Sequence, residues 1–166
     1  MKEQWDLYDK NRNKLNKIVS RGDKLKDDEY HLVVNAWIKN DKGEFLIAQR
    51  SKNKSHPLMW ECTGGSAIKG EDSISAAIRE VKEELGIDVE KNTAKYIGST
   101  LRYYPNCPDI LDVWLFKSNV SIKEVIIQKE EVNNAIWASK EKILDLYQNG
   151  KFDANVYFKE IINDEV

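Results

Sequence analysis

Apolar residues recur along this chain at two spacings. Ile74, Ala77, Ile78, Val81 and Leu85 fall at i, i+3, i+4, i+7 and i+11, the stripe of one helix face. Asp72 or Ser73 is placed to cap its first turn, and Gly86 stands where a left-handed residue ends a helix. Elsewhere the runs are short and rich in β-branched and aromatic residues. Residues 4–19 read as a hairpin, with Trp5-Asp6-Leu7-Tyr8 and Lys14 to Val19 flanking a polar turn at Asp9 to Asn13. Tyr30 to Ile38 and Glu44 to Gln49 read as strands around a turn ending in Gly43. Leu58 to Thr63 predicts a short strand that delivers the chain to Gly64 and Gly65. Further strands are expected at Ala94 to Leu101, Ile110 to Phe116, Val125 to Gln128 and Asn134 to Trp137. Ser139 starts a helix through Gln148 that Gly150 closes, and Asp153 to Asn163 suggests a final helix. Strands alternating with a few helices predict an α/β fold, a mixed sheet with helices on both faces.

The 166 residues suit one domain, with residues 1–29 as an N-terminal hairpin extension, 30–150 as the core and 151–166 as a C-terminal helix. A composition 41% hydrophobic and 33% charged is that of an ordinary globular chain. The net charge of −2, with no basic face or tail, argues against a nucleic-acid polymer as partner. Cys62 and Cys107 are too few for a disulfide framework, and no run approaches 18 apolar residues. A cytoplasmic location away from the membrane is the expectation, and no repeat or low-complexity segment is present.

The helix around Val81 changes the picture. Glu80 and Glu84 lie one turn apart with Glu83 beside them, flanking the apolar stripe at a groove edge. Only the Arg79–Glu83 spacing supplies a compensating charge one turn away. Carboxylates gathered near a low-dielectric surface need a positive partner. Oxygen-only ligands of high charge suit hard divalent ions such as Mg²⁺ or Mn²⁺ rather than zinc.

Gly65, five residues, Glu71, seven residues, then Arg79-Glu80-Val81-Lys82-Glu83-Glu84-Leu85-Gly86-Ile87 resembles the signature of the Nudix hydrolase superfamily. All nine specified positions match, and the chance of that in a chain this long is on the order of 10⁻⁷. The resemblance implies an α/β/α sandwich around a mixed sheet, and divalent-metal-dependent hydrolysis of a diphosphate joined to another moiety. It implies Glu80, Glu83 and Glu84 as metal-binding acids, with the Gly64 carbonyl as an additional ligand. Glu71 and Arg79 are then expected to hold the loop-to-helix geometry, as an ion pair. The general base is Glu80 or Glu131, an acid late in the chain like one that family members often carry, and Glu131 is a further candidate ligand. Homodimers are common in the family, although nothing in this sequence demands one.

Candidate contacts to the substrate are open. Arg50, Lys52 and Lys54 are placed to meet phosphates or to lie solvated. Arg102, Tyr103 and Tyr104 suit either a base or sugar pocket or a dimer rim. Trp60 reads as packing, and His31 as an ordinary strand residue. The flanks, over roughly residues 4–90, are similar to the branch that includes isopentenyl-diphosphate isomerase. Those isomerases require a cysteine and a following histidine just before the metal acids, where this chain reads Gly64-Gly65-Ser66. Cys62 lies two residues early, so hydrolysis is favoured over isomerisation. A ligand-binding module without catalysis is the remaining alternative, and such a module is expected to lose acids that are all kept here.

Overall fold

The computed structural model describes residues 2–165. Its strands are β1 (Gln4–Tyr8), β2 (Lys14–Ser20), β3 (Tyr30–Lys39), β4 (Phe45–Arg50), β5 (Trp60–Glu61), β6 (Thr63–Ser66), β7 (Lys95–Arg102), β8 (Asp109–Lys117) and β9 (Val132–Ala138). Its helices are α1 (Ser73–Leu85), α2 (Lys140–Gln148) and α3 (Phe158–Ile162). The strands form one mixed sheet centred on β3. One edge of β3 pairs in parallel with β8 from His31 to Lys39, and β7 extends the sheet beyond β8. The other edge is shared in turn by β1, β6 and β4, all antiparallel. β4 also pairs with β5 and β9.

Side chains alternate across β3, and this alternation makes the layers. Leu32, Val34, Ala36 and Ile38 face α1 and bury its Ala76, Ala77, Val81 and Leu85. Trp37, with Leu111 and Val113 of β8, faces α2 and α3 and packs with Ile143, Leu146, Phe158 and Ile161. The architecture is the α/β/α sandwich expected. The N-terminal hairpin is tied in by the pairing of Leu7 with His31 and by Arg12, whose guanidinium meets the buried Asp112 of β8. No helix among the described residues is long and apolar enough to cross a membrane.

Three predicted elements differ. The run Leu58 to Thr63 splits: β5 pairs with β4, and β6 carries both glycines into the sheet against β3. Val125 to Gln128 is no strand. Its N–H groups serve the end of α1 instead, Ile126 donating to the Leu85 carbonyl and Gln128 to that of Glu84. The expected helix over Asp153 to Asn163 shrinks to Phe158–Ile162, because its first half is bound elsewhere. Asp153 N–H donates to the Trp60 carbonyl, and Tyr157 N–H to the side chain of Asn155. Those donors are then withdrawn from a helical ladder.

Candidate active site

α1 begins where Asp72 accepts a hydrogen bond from Ser75 N–H at 2.8 Å, and ends at Gly86 with φ +69°. A side chain at Gly86 would be strained by that φ and would also strike Ile126. Between these caps the apolar stripe fixes the roll of the helix. The rotation that buries Val81 carries Glu80 and Glu84 under cover, at 8% and 5% exposure, while the side chain of Glu83 stays half-exposed.

Arg79 is the hub of the charged edge. Its Nε donates to Glu71 Oε1 at 3.0 Å, and its Nη1 to Glu80 at 2.9 Å and Glu83 at 2.8 Å. Its Nη2 reaches Glu71 and the Ser66 carbonyl. Glu71 in turn accepts from Ile68 N–H, so the pair bolts the loop before α1 onto the helix. Burial pulls the Arg79 guanidinium down, but Glu71 and Glu80 outweigh it and hold the group more basic than usual.

Opposite lies the loop after β4. Ser51 donates its N–H to the Glu131 carbonyl and its hydroxyl to that of Glu130, which fastens this loop to the turn before β9. Lys54 thereby stands 2.6 Å from Glu131 and 3.6 Å from Glu84. Burial pushes Glu84 up to about 8 against the pull of Lys54, and Glu61, Glu80 and Glu131 add repulsion. Burial likewise raises Glu80, partly opposed by Arg79. These groups border a cleft of about 350 Å³ that also includes Gly64 and Gly65.

Among the described residues no three acid, His or Cys groups already converge as ready-made metal ligands. Arg79 holds Glu80 and Glu83, while Lys54 holds Glu84 and Glu131. Yet the donors are all oxygen and crowded, which is the chemistry of a hard divalent cation. Gly65 also fits this role: a Cβ there would fall on the Glu80 carboxylate. Gly65→Ala is therefore expected to displace Glu80. An activity loss of more than about tenfold should accompany a melting temperature within a few degrees of wild type. Paired kinetics and thermal melts check it.

A second cavity, about 340 Å³, shares Arg50, Gly64 and Gly65 with the cleft. Arg50 donates to both oxygens of Glu61 and to Ser55, so it is an interior tether as well as a lining residue. Arg102 grips Asp109 in a two-bond pair and lies over the Tyr104 ring, and both line this cavity. Tyr103 does not: it is 71% exposed and meets Tyr30 edge-on, because adjacent residues of the β7–β8 loop diverge. Cys62 lines the cavity as a buried thiol that burial pushes well above its ordinary range. Trp60 packs partly buried against the α2/α3 core. His31 is buried and stacked on Trp5, a packed residue rather than a site residue.

Sequence reasoning missed Glu61, Asn35, Asp153 and Asn155, all on the cavity wall. Asn35 left one signal, an amide in the otherwise apolar run LVVNAWI. For Asn155 no local signal exists.

The NUDIX domain family model matches residues 29–159. A Nudix hydrolase of Listeria monocytogenes is 38% identical over 165 residues, covering 97% of this chain and 94% of that protein. An isopentenyl-diphosphate isomerase of Photorhabdus laumondii is 30% identical over 141 residues, covering 80% of this chain and 76% of the relative. Among solved structures, DR0079 from Deinococcus radiodurans superposes with a TM-score of 0.75 at 21% identity, covering 97% of this chain and 98% of the other. The chain belongs to the Nudix family, as an enzyme of its hydrolase class.

Proposed function

We propose that this enzyme hydrolyses the diphosphate linkage of a small nucleoside diphosphate derivative and depends on Mg²⁺ or Mn²⁺ to do so. The supporting observation is the pair of buried carboxylates, Glu80 (pressed against Gly65) and Glu84, whose ion-pair partners among the described residues are Arg79 and Lys54. Glu80, Glu83, Glu84 and the Gly64 carbonyl would hold the ion, with Glu131 as a further ligand once Lys54 releases it. A bound divalent ion supplies charge neutralisation at the phosphate oxygens and a lowered pKa for water. Glu80 is our choice of general base, with Glu131 the other candidate. Both lie on the wall of the cleft that would hold that water. Arg79 orients Glu80 and Glu83, and Glu71 orients Arg79. Lys54 and Arg50 would meet phosphate oxygens, and Arg102 and Tyr104 the attached group.

The isomerase reading fits this site poorly. Its required cysteine and histidine are replaced by glycine and serine, and Cys62 is a buried thiol of raised pKa. Titration with Mg²⁺ and Mn²⁺ is expected to show saturable binding and to switch on phosphate or monophosphate release from nucleoside diphosphate derivatives. Chelation with EDTA should abolish that release. Undiminished turnover in EDTA, or double-bond migration in isopentenyl diphosphate, would overturn the assignment.

A further inference from the structure

The central strand β3 carries an amide where its neighbours are apolar. Asn35 lies on the α2/α3 side, in register with Gly64 of β6. A Cβ at Gly64 would come within 2.6 Å of Asn35 Nδ2, so β6 is bare backbone just where the amide lies. Asn35 thus stands at the join between the carboxylate cleft and the second cavity. Asn155 Nδ2 donates to Asn35 Oδ1 at 3.1 Å, and Tyr157 N–H donates to Asn155 Oδ1 at 3.0 Å. These bonds fix both amides in one orientation. Each carbonyl oxygen already has a donor, and Asn35 Nδ2 itself donates to the Val34 carbonyl at 3.3 Å. Each amide thus keeps one N–H outside these bonds, on a residue that lines the cavity. On the same wall, the Asp153 carboxylate makes no hydrogen bond or ion pair among the described residues, and it supplies an acceptor.

The wall itself is held in place. Phe152 and Phe158 are buried at its two ends. Between them, the Tyr157 hydroxyl donates to the Ser99 carbonyl at 2.8 Å, and its ring fills the space that Gly98 leaves open on β7. Segment 153–157 is therefore positioned before any ligand arrives, which preserves selectivity that a mobile wall would lose.

The geometry points to Asn35 and Asn155 as specificity-determining residues, with Tyr157 as their positioning residue. They read acceptor atoms on the group attached to the diphosphate. This rests on the neighbouring cleft holding the diphosphate, as proposed above. The favoured attached group presents acceptors beside donors, as a nucleobase edge or a ribose does, and an isoprenyl chain is rejected because it offers the remaining N–H of each amide no acceptor.

The test compares wild type, Asn155→Leu and Tyr157→Phe on the four ribonucleoside triphosphates and on isopentenyl diphosphate, with Mg²⁺. Thermal melts establish that each variant is folded. Wild type is expected to prefer at least one nucleotide over isopentenyl diphosphate. Asn155→Leu should raise KM for that nucleotide about tenfold, lower kcat less, and narrow the preference. Tyr157→Phe, which keeps the ring, should shift the same ratio in the same direction by less. A change that differs among the four bases assigns the base edge, and an equal change for all four assigns the ribose. A folded Asn155→Leu variant with an unchanged preference overturns the proposal, as does a wild-type preference for isopentenyl diphosphate. Calorimetry with the nucleoside monophosphates separates this from the hydrolase reading. If wild type cleaves nothing but Asn155→Leu still weakens monophosphate binding, the pocket assignment stands and the hydrolase assignment falls.

Discussion

Replacing Glu84 by glutamine is expected to lower turnover by about 10²–10⁴-fold while leaving the fold intact. The substitution keeps the shape of the side chain and removes its charge, so an ion or a reacting water loses the partner it needs. The stability effect has the opposite sense. Burial raises Glu84 from the ordinary 4.5 to about 8. Between those values the native state holds a proton that the unfolded chain has released. The contribution of this group is therefore fully present below about pH 4.5 and is lost as pH rises through about 8. In EDTA the wild-type melting temperature should fall across that window. Glu84→Gln should flatten part of the fall and melt a few degrees higher at alkaline pH, since 1 kcal/mol corresponds to about 2–4 °C at this size. Melts at several pH values check it, and equal slopes in the two proteins would sink the burial argument.

Arg79→Ala is expected to be the most destabilising change at the site, at about 3–5 kcal/mol. The Arg79 side chain is 20% exposed and its partners Glu71 and Glu80 are 12% and 11% exposed. Removing it strands carboxylates that water reaches poorly and unbolts the loop from Ser66 to Asp72. Arg79→Lys should recover less than half of the loss, because an ammonium cannot span Glu71, Glu80 and the Ser66 carbonyl as a planar fork does. Urea denaturation at pH 7 measures both. Acidification should narrow the gap to wild type by protonating the stranded acids. A loss below about 1 kcal/mol would mean that the network behaves like an exposed, screened one.

The helix bearing the acids was legible because its information is local. Asp72, the apolar stripe and Gly86 state its start, roll and end within fifteen residues, and the roll dictates which glutamates meet the sheet. Central strands were legible for the same reason. The misread elements were those whose hydrogen bonds go to distant partners. Val125 to Gln128 has strand composition, but its N–H groups are taken by α1 carbonyls. Asp153 to Asn163 has helical spacing through Val156, Tyr157, Ile161 and Ile162, but in its first half the Asp153 and Tyr157 N–H groups are taken by Trp60 and Asn155.

The sequence alone determined the α1 scaffold and its three clustered glutamates, since a helix sets those relations through its own backbone period; the pairing of Arg79 with Glu71, which lies in the loop before the helix, was an expectation from the family resemblance. Tertiary structure alone decided that Lys54 and Glu131 face Glu84, that Tyr103 turns away from the cavity, and that Asn155 meets Asn35 across 120 residues of chain. Such meetings depend on how strands stack and loops are fastened. No local preference of either partner encodes them, because the free energy that fixes each one comes from the packed sheet between them.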